Sequence, residues 1–434
     1  MNIVMIGTGY VGLVSGACFA DFGHKVTCVD KDASKVEALL DGRIPIFEPG
    51  LDELVAKNVE AGRLSFTLKL AEALPDADAV FIAVGTPSRR GDGHADLSYV
   101  HAAAEEMAPM LRAGTVVVTK STVPVGTGDA VERIIREAAP ELEFSVASNP
   151  EFLREGAAIE DFKRPDRVVV GVNDEHAETV LQEIYRPLTR NDAPLLVMAR
   201  RAAELTKYAA NAFLATKIGF INEIADLCER VGADVRDVAK GIGMDTRIGP
   251  RFLQPGPGYG GSCFPKDTLA LLKTGEDYEA PLRIVESVVT SNDQRKRSMG
   301  RKVVQALGDG DPHGKTVALL GLTFKANTDD MRDSPAIAIV QSLQDAGIAV
   351  RAYEPEGMEK AKKVIDNITY CDGPYEAIEG ADAAVIVTEW DAFRALDLPR
   401  VKDLLKQPLL VDLRNLYSRT DIEKQGLTYV AVGR

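Results

Sequence analysis

The sequence predicts an α/β protein of two doubly wound lobes joined by a long central helix. Three observations carry that prediction. Short Val/Ile-rich runs alternate with helical patterns over the first 150 residues, the rhythm returns after residue 316, and an unbroken helical pattern fills about residues 200–230. Continuous apolar runs mark parallel strands covered on both faces. Their alternation with helices builds βαβ units.

Taken in order, strands are expected at 2–6 (NIVMI), 25–30 (KVTCVD), 79–84 (AVFIAV), 115–119 (TVVVT) and 144–147 (FSVA). The pattern over 200–230 exceeds the usual length of a globular helix, so it is expected to bridge the lobes and to offer a face for self-association. In the second lobe, strands are expected from 316 (TVALL) and 349 (AVRAY), with a helix over 335–347 between them. The stretch YEAIEGADAAVIVTEW (375–390) echoes AEALPDADAVFIAVGTP (71–87), and PLLVDLRN (408–415) takes the part of TVVVTKST. Both lobes therefore read as Rossmann-like, which does not require a shared ligand. The boundaries are placed at 1–195, 196–300 and 301–434, the last near the polar run Gly308–Pro312.

Apolar residues at 45% and charged residues at 27% describe an ordinary globular protein, and 434 residues suggest about three domains. The formal charge of −14 argues against nucleic acid or an anionic membrane as partner. An acidic surface can still hold a basic pocket for a phosphorylated small molecule. The five cysteines, at 18, 28, 228, 263 and 371, show no C-x-x-C spacing and no clustering with histidines. That disfavours disulfides or a metal site and fits a reducing compartment. Residues 2–20 loosely resemble a secretion signal, but they lack a basic leading region and carry recurring glycines. No stretch approaches the roughly 20 apolar residues of a membrane span, so a cytoplasmic protein is expected.

Gly7-Thr8-Gly9-Tyr10-Val11-Gly12 follows the first strand and opens a helical run. Gly7 permits a tight turn, Gly9 lets backbone approach a pyrophosphate, and Gly12 allows close helix–strand packing. The helix start offers N–H groups to phosphate. Asp30 closes the second strand, 18 residues after Gly12; it suits a ribose diol and would repel a 2′-phosphate, favouring NAD over NADP. FAD uses the same fingerprint and is the alternative cofactor. Thr86 and the pair Ser121–Thr122 follow strands of this lobe at the edge where such sheets bind ligands. Hydroxyls that merely cap turns are the competing explanation.

The most informative segment is RFLQPGPGYGGSCFPKD (251–267). Four glycines and two prolines within 255–261 make a loop whose backbone can lie close against a ligand. Pro265 is expected to start a helix over 265–273, which puts Cys263 just ahead of a helix N-terminus with Lys266 close by. Both favour a thiolate. The other four cysteines sit in or beside apolar runs and read as small buried hydrophobes. Cys263 therefore reads as a nucleophile. Lys207 and Asn211 lie four apart on the long helix and share a face. Glu151 and Glu155 have the same spacing, with a solvated charged face as the competing explanation.

Together, GTGYVG (7–12), EFLREG (151–156), ELTKYAANAFLATKI (204–218), GYGGSCFPKD (258–267) and FKANTDDMRDSP (324–335) resemble the UDP-glucose 6-dehydrogenase family over nearly the whole chain. Tyr259 and Phe264 favour UDP-glucose over the GDP-mannose and UDP-N-acetylmannosamine branches, which remain the alternative substrates. Gly219 stands where the family has Ser.

The resemblance implies a four-electron oxidation of UDP-glucose to UDP-glucuronate, for polysaccharide biosynthesis, using two NAD per sugar. Cys263 would form a thiohemiacetal and then a thioester, which water hydrolyses. Lys207 and Asn211 resemble the pair that stabilises the oxyanion, Asp267 and Thr122 the residues that order water, and Glu151 the base for hydrolysis. The UDP-sugar is assigned Glu151, Phe152, Leu153, Arg154, Glu155, Lys207, Asn211, Phe252, Leu253, Gln254, Pro255, Gly256, Tyr259, Gly260 and Lys325. Arg247 and Arg414 join them, Arg247 reaching toward a neighbouring subunit. The cofactor is assigned Gly7, Gly9, Tyr10, Val11, Gly12, Asp30, Lys35, Thr86, Ser121, Thr122, Glu155, Lys266 and Arg332. A homodimer through the central helix is implied, with no metal. A hydroxyacid-type dehydrogenase with no covalent step, and a nucleotide sensor without catalysis, are the competing functions.

Overall fold

A computed structural model of the chain describes residues 1–89 and 93–434. Residues 1–210 with 269–280 form one compact unit, and residues 211–268 with 281–434 form the other.

The first unit holds an eight-stranded sheet. Its strands are β1 (Asn2–Ile6), β2 (Lys25–Val29), β3 (Leu64–Thr67), β4 (Ala79–Ile82), β5 (Thr115–Thr119), β6 (Phe144–Ser148), β7 (Val168–Gly171) and β8 (Leu195–Met198). They lie in the order β3-β2-β1-β4-β5-β6-β7-β8. The described pairings are parallel except β6 with β7. Side chains alternate across the pleat, so Ile3 and Met5 enter one core while Val4 and Ile6 enter the other. β4 and β5 divide the same way, Phe81 and Val118 to one side, Ile82 and Val117 to the other. Each such side chain, fully buried, contributes about 1.5–3 kcal/mol.

The strand order reverses between β1 and β4, the point where open α/β sheets bind ligands at the carboxyl ends of their strands. The loops leaving β1, β4, β5 and β6 are neighbours there, and they carry Gly7, Thr86, Ser121 and Glu151.

The second unit repeats the plan with β9 (Thr316–Leu320), β10 (Ala349–Tyr353), β11 (Thr369–Tyr370), β12 (Ala383–Ile386), β13 (Leu409–Asp412) and β14 (Thr428–Ala431). Their order is β11-β10-β9-β12-β13-β14. The echo between residues 71–87 and 375–390 is a structural one. In each, a short helix (Leu70–Ala73, Pro374–Ile378) leads into a buried strand that flanks the first strand of its sheet.

The long helix runs Arg200–Val231, 32 residues and about 48 Å at 1.5 Å per residue. β3, β7, β8, β11 and β14 are not among the expected strands. All five have no more than four residues, and β8 is also a half-exposed edge, so their apolar signal is too short to register against turn residues.

Candidate active site

At the first loop the chain passes through Gly7 at φ +102°, where a Cβ would stand 2.6 Å from the Ala83 carbonyl oxygen. A Cβ on Gly12 would stand 1.9 Å from the Gly7 carbonyl oxygen, so the helix Tyr10–Asp21 sits directly on the turn. Gly9 caps that helix without a side-chain hydrogen bond, and a Cβ there would meet nothing within 4 Å. Open space over an uncapped helix start fits a dinucleotide pyrophosphate. Asp30 accepts the Thr8 N–H and hydroxyl, both at 2.7 Å, and the Asp32 N–H at 3.0 Å. Burial pushes its carboxyl up, but these hydrogen bonds outweigh that and hold it below the usual range. Lys35 Nζ lies 4.0 Å from the same carboxylate.

Thr86 and Ser121 are buried, and their hydroxyls tie the strand ends together. Thr86 donates to the Thr122 carbonyl at 2.9 Å, and Ser121 to the Val84 carbonyl at 2.7 Å. The Tyr10 hydroxyl, beside Val11 in the nucleotide loop, bonds the Glu48 carboxylate. Glu48 in turn accepts the Gly156 and Ala158 N–H groups, both at 2.7 Å. The nucleotide loop is thereby tied to the segment that begins at Glu151.

Glu151 and Glu155 do not share a helix face, correcting the expectation from their spacing. Residues 151–157 are irregular, and the next helix is Ala158–Lys163. The backbone is drawn away from helix by side chains. Glu151 accepts the Leu153 N–H at 2.6 Å, and Asp161 accepts the Arg154 N–H at 2.9 Å while pairing with its guanidinium. Glu151 meets Lys207 at 3.2 Å, both side chains about 5% exposed. The Phe152 ring lies 5.2 Å from the Lys207 ammonium and 3.8 Å from the Arg167 guanidinium. Such buried pairing rejects the solvated-face explanation for Glu151 and Lys207.

In the second unit, Asn211 donates to the Asp267 carboxylate at 2.6 Å, and Lys266 bonds its other oxygen at 2.7 Å. Asp267 is 1% exposed. Cys263 immediately precedes the helix Phe264–Asp277, and its carbonyl accepts the Asp267 N–H at 2.8 Å, which makes it the N-cap residue. Its sulfur is half-buried and lies 3.5 Å from the Ser262 hydroxyl. The other four cysteines are buried, and burial pushes Cys18 and Cys28 up to about 12. Pro265 is the second helical residue rather than the first, still among the positions whose N–H has no intrahelical acceptor.

The glycines of the cysteine loop serve packing within the protein. A Cβ on Gly260 would stand 2.3 Å from the Asp333 carbonyl oxygen, and one on Gly261 would strike the Phe324 ring. Tyr259 pairs with Asn292 through its backbone and stacks edge-on to Phe264. Leu253 belongs to the hydrophobic core, and Pro255 is buried while Gln254 is exposed. Gly256 donates to Asn222 and accepts from Arg295. Phe252 adopts φ +64° beside Phe264. Arg414 spans the Val387 and Phe324 carbonyls and Glu389. Lys325 lies over Phe324, and Arg332 pairs with Asp330. Arg247 is 87% exposed and pairs with Asp245.

Residues 1–189 match the NAD binding domain of the UDP-glucose/GDP-mannose dehydrogenase family, 201–294 its central domain, and 318–419 its UDP binding domain. The chain belongs to that family. It is 66% identical to the UDP-glucose 6-dehydrogenase of Rhizobium meliloti over all of both chains. A UDP-glucose dehydrogenase structure from Pyrobaculum islandicum covers 99% of this chain and 96% of its own, at 42% identity and TM-score 0.89. A UDP-D-ManNAc dehydrogenase structure from Pyrococcus horikoshii covers 100% and 99%, at 25% identity and TM-score 0.88.

The family's NAD binding domain thus coincides with the lobe whose nucleotide loop is open. Two residues in it escape the sequence reading. Lys120, after β5, is 3% exposed, and Glu48 is 7% exposed. Neither has a local signal, since a lysine between hydroxyl residues and a glutamate before Pro-Gly read as solvated loops.

Proposed function

We propose that the chain oxidises UDP-glucose to UDP-glucuronate in two NAD-dependent steps through a thioester on Cys263. The observation that carries this reading is Cys263 at a helix N-cap, with the Asp267 carboxylate one turn on held between Asn211 and Lys266. A half-buried thiol at a helix start, one turn from an ordered carboxylate, suits covalent catalysis.

NAD would supply the hydride acceptor for both oxidations, and the Gly7–Gly12 loop would hold its pyrophosphate and Asp30 its ribose. The sugar C6 alcohol gives up a hydride and a proton to become an aldehyde. Cys263 adds to that carbonyl, forming a C–S bond; the oxyanion is stabilised by the Lys207 ammonium and the Asn211 amide before it is protonated. The thiohemiacetal loses a second hydride and its hydroxyl proton to give the thioester. Glu151, with Asp267 and Thr122 ordering the water, takes a proton as water attacks the acyl carbon, and the C–S bond breaks to return the thiolate. Lys325, Arg332 and Arg414 form the UDP-binding and cofactor-closing groups of this reading.

The same reading includes a cytoplasmic homodimer. The central helix shows Phe213, Phe220 and Leu227 at 66%, 51% and 53% exposed. Their seven-residue spacing puts them on one face, where a second copy would cover them.

Purified protein offered UDP-glucose, GDP-mannose and UDP-N-acetylmannosamine in turn with NAD is expected to turn over UDP-glucose preferentially. Preference for either of the others reassigns the sugar.

A further inference from the structure

Lys120 is a buried lysine that the mechanism above leaves unused. Its ammonium donates to Asn149 Oδ1 at 2.9 Å and to the Tyr185 hydroxyl at 3.2 Å. Tyr185 donates to the same Asn149 oxygen at 2.5 Å, and the Asn149 amide donates to the Val169 carbonyl at 2.8 Å. The rings of Phe162 and Tyr185 lie 5.7 and 5.9 Å from the ammonium. Burial pushes the Tyr185 phenol up, so it stays neutral. A cation with only neutral hydrogen-bond partners is an expensive thing to bury. A methionine or glutamine would fill the space at lower cost, and buried charge kept at such cost marks functional sites.

Its electrostatic neighbours are the members of the Glu151–Lys207 pair. The charges that act on Lys120 are those of Glu151, which favours the ammonium, and Lys207, which opposes it; burial dominates both and brings the lysine down to about 8. Glu204, one turn before Lys207 on the same helix, spends its carboxylate on the Gly126 and Gly128 N–H groups and the Ser148 hydroxyl. Asn149, which Lys120 anchors, stands two residues before Glu151.

We infer that Lys120 is a positioning residue for the Glu151–Lys207 pair: through Asn149 it fixes the turn that presents Glu151, and its ammonium adds a positive charge beside that pair. The inference rests on the function proposed above. The positive charge it adds favours the oxyanion that develops at the sugar C6. Losing the Lys120 proton as pH rises removes that charge, so kcat is expected to fall on the alkaline side around pH 8.

The test compares wild type, Lys120→Met, Lys120→Arg and Tyr185→Phe with UDP-glucose and NAD across pH. Lys120→Met is expected to lower kcat on the order of tenfold or more, to leave both KM values within about twofold, and to abolish the alkaline fall. Lys120→Arg is expected to regain most of kcat and to move the fall to higher pH, because guanidinium stays protonated. Tyr185→Phe removes an acceptor from the ammonium and is expected to move the fall to lower pH; it keeps the test open if Lys120→Met does not fold. A Lys120→Met enzyme with wild-type kcat and pH profile, or a Tyr185→Phe enzyme whose alkaline fall stays in place, overturns the inference alone. A wild type inert on UDP-glucose rejects the proposed activity and this inference with it.

Discussion

Cys263 differs from the other four cysteines in its surroundings. It caps a helix whose first turn carries Lys266 and Asp267, whereas Cys18 and Cys28 are raised to about 12, chiefly by burial. Replacing it by serine keeps the size but removes the sulfur that releases an acyl group readily. Cys263→Ser is expected to cut UDP-glucuronate release at least about a thousandfold, and mass spectrometry of the quenched protein is expected to find a sugar-nucleotide adduct; unchanged turnover rejects the covalent role. That thiol was legible because a glycine loop and a helix start surround it in sequence. Lys120 was not, since the pairing of β5 with β6 and the approach of Phe162 and Tyr185 bury it.

At the scale of elements, the loops rather than the strands carry most of the proposed site residues. The Tyr10–Glu48 link ties the nucleotide loop to the segment at Glu151, a connection across more than 100 residues that no local pattern reveals. In the cysteine loop the glycines are legible, but the close approach of Gly260 to Asp333 and of Gly261 to Phe324 is not. Gly260→Ala, whose Cβ would stand 2.3 Å from a backbone oxygen, is expected to cost about 1–3 kcal/mol, read by urea denaturation. A melt indistinguishable from wild type would show that the loop yields freely. Gly12→Ala meets the Gly7 carbonyl oxygen at 1.9 Å and is expected to raise the NAD KM by on the order of tenfold or more while that for UDP-glucose changes little.

For the whole molecule, the two lobes share a fold and diverge at one acidic position. Asp30, after β2, keeps a side chain 13% exposed at the first lobe's ligand edge. Its counterpart after β10, Glu354, is 1% exposed and accepts the Leu322, Thr323 and Gly357 N–H groups and the Thr323 hydroxyl. That carboxylate has no capacity left for a ribose, so calorimetry is expected to find one NAD per chain; two equal sites would contradict this. The doubling itself was legible from the repeated strand rhythm, while the sealing of Glu354 depends on a turn that sequence does not specify. If the proposed dimer forms through the exposed helix stripe, Phe220→Glu is expected to shift sedimentation to monomer, and an unchanged dimer would place the interface elsewhere.

The central claim is a four-electron oxidation through one thiol, and it is tested most directly by counting NADH formed per UDP-glucose consumed at completion. The account predicts two, with UDP-glucuronate as the product. One NADH per sugar, or an aldehyde released in its place, would contradict it.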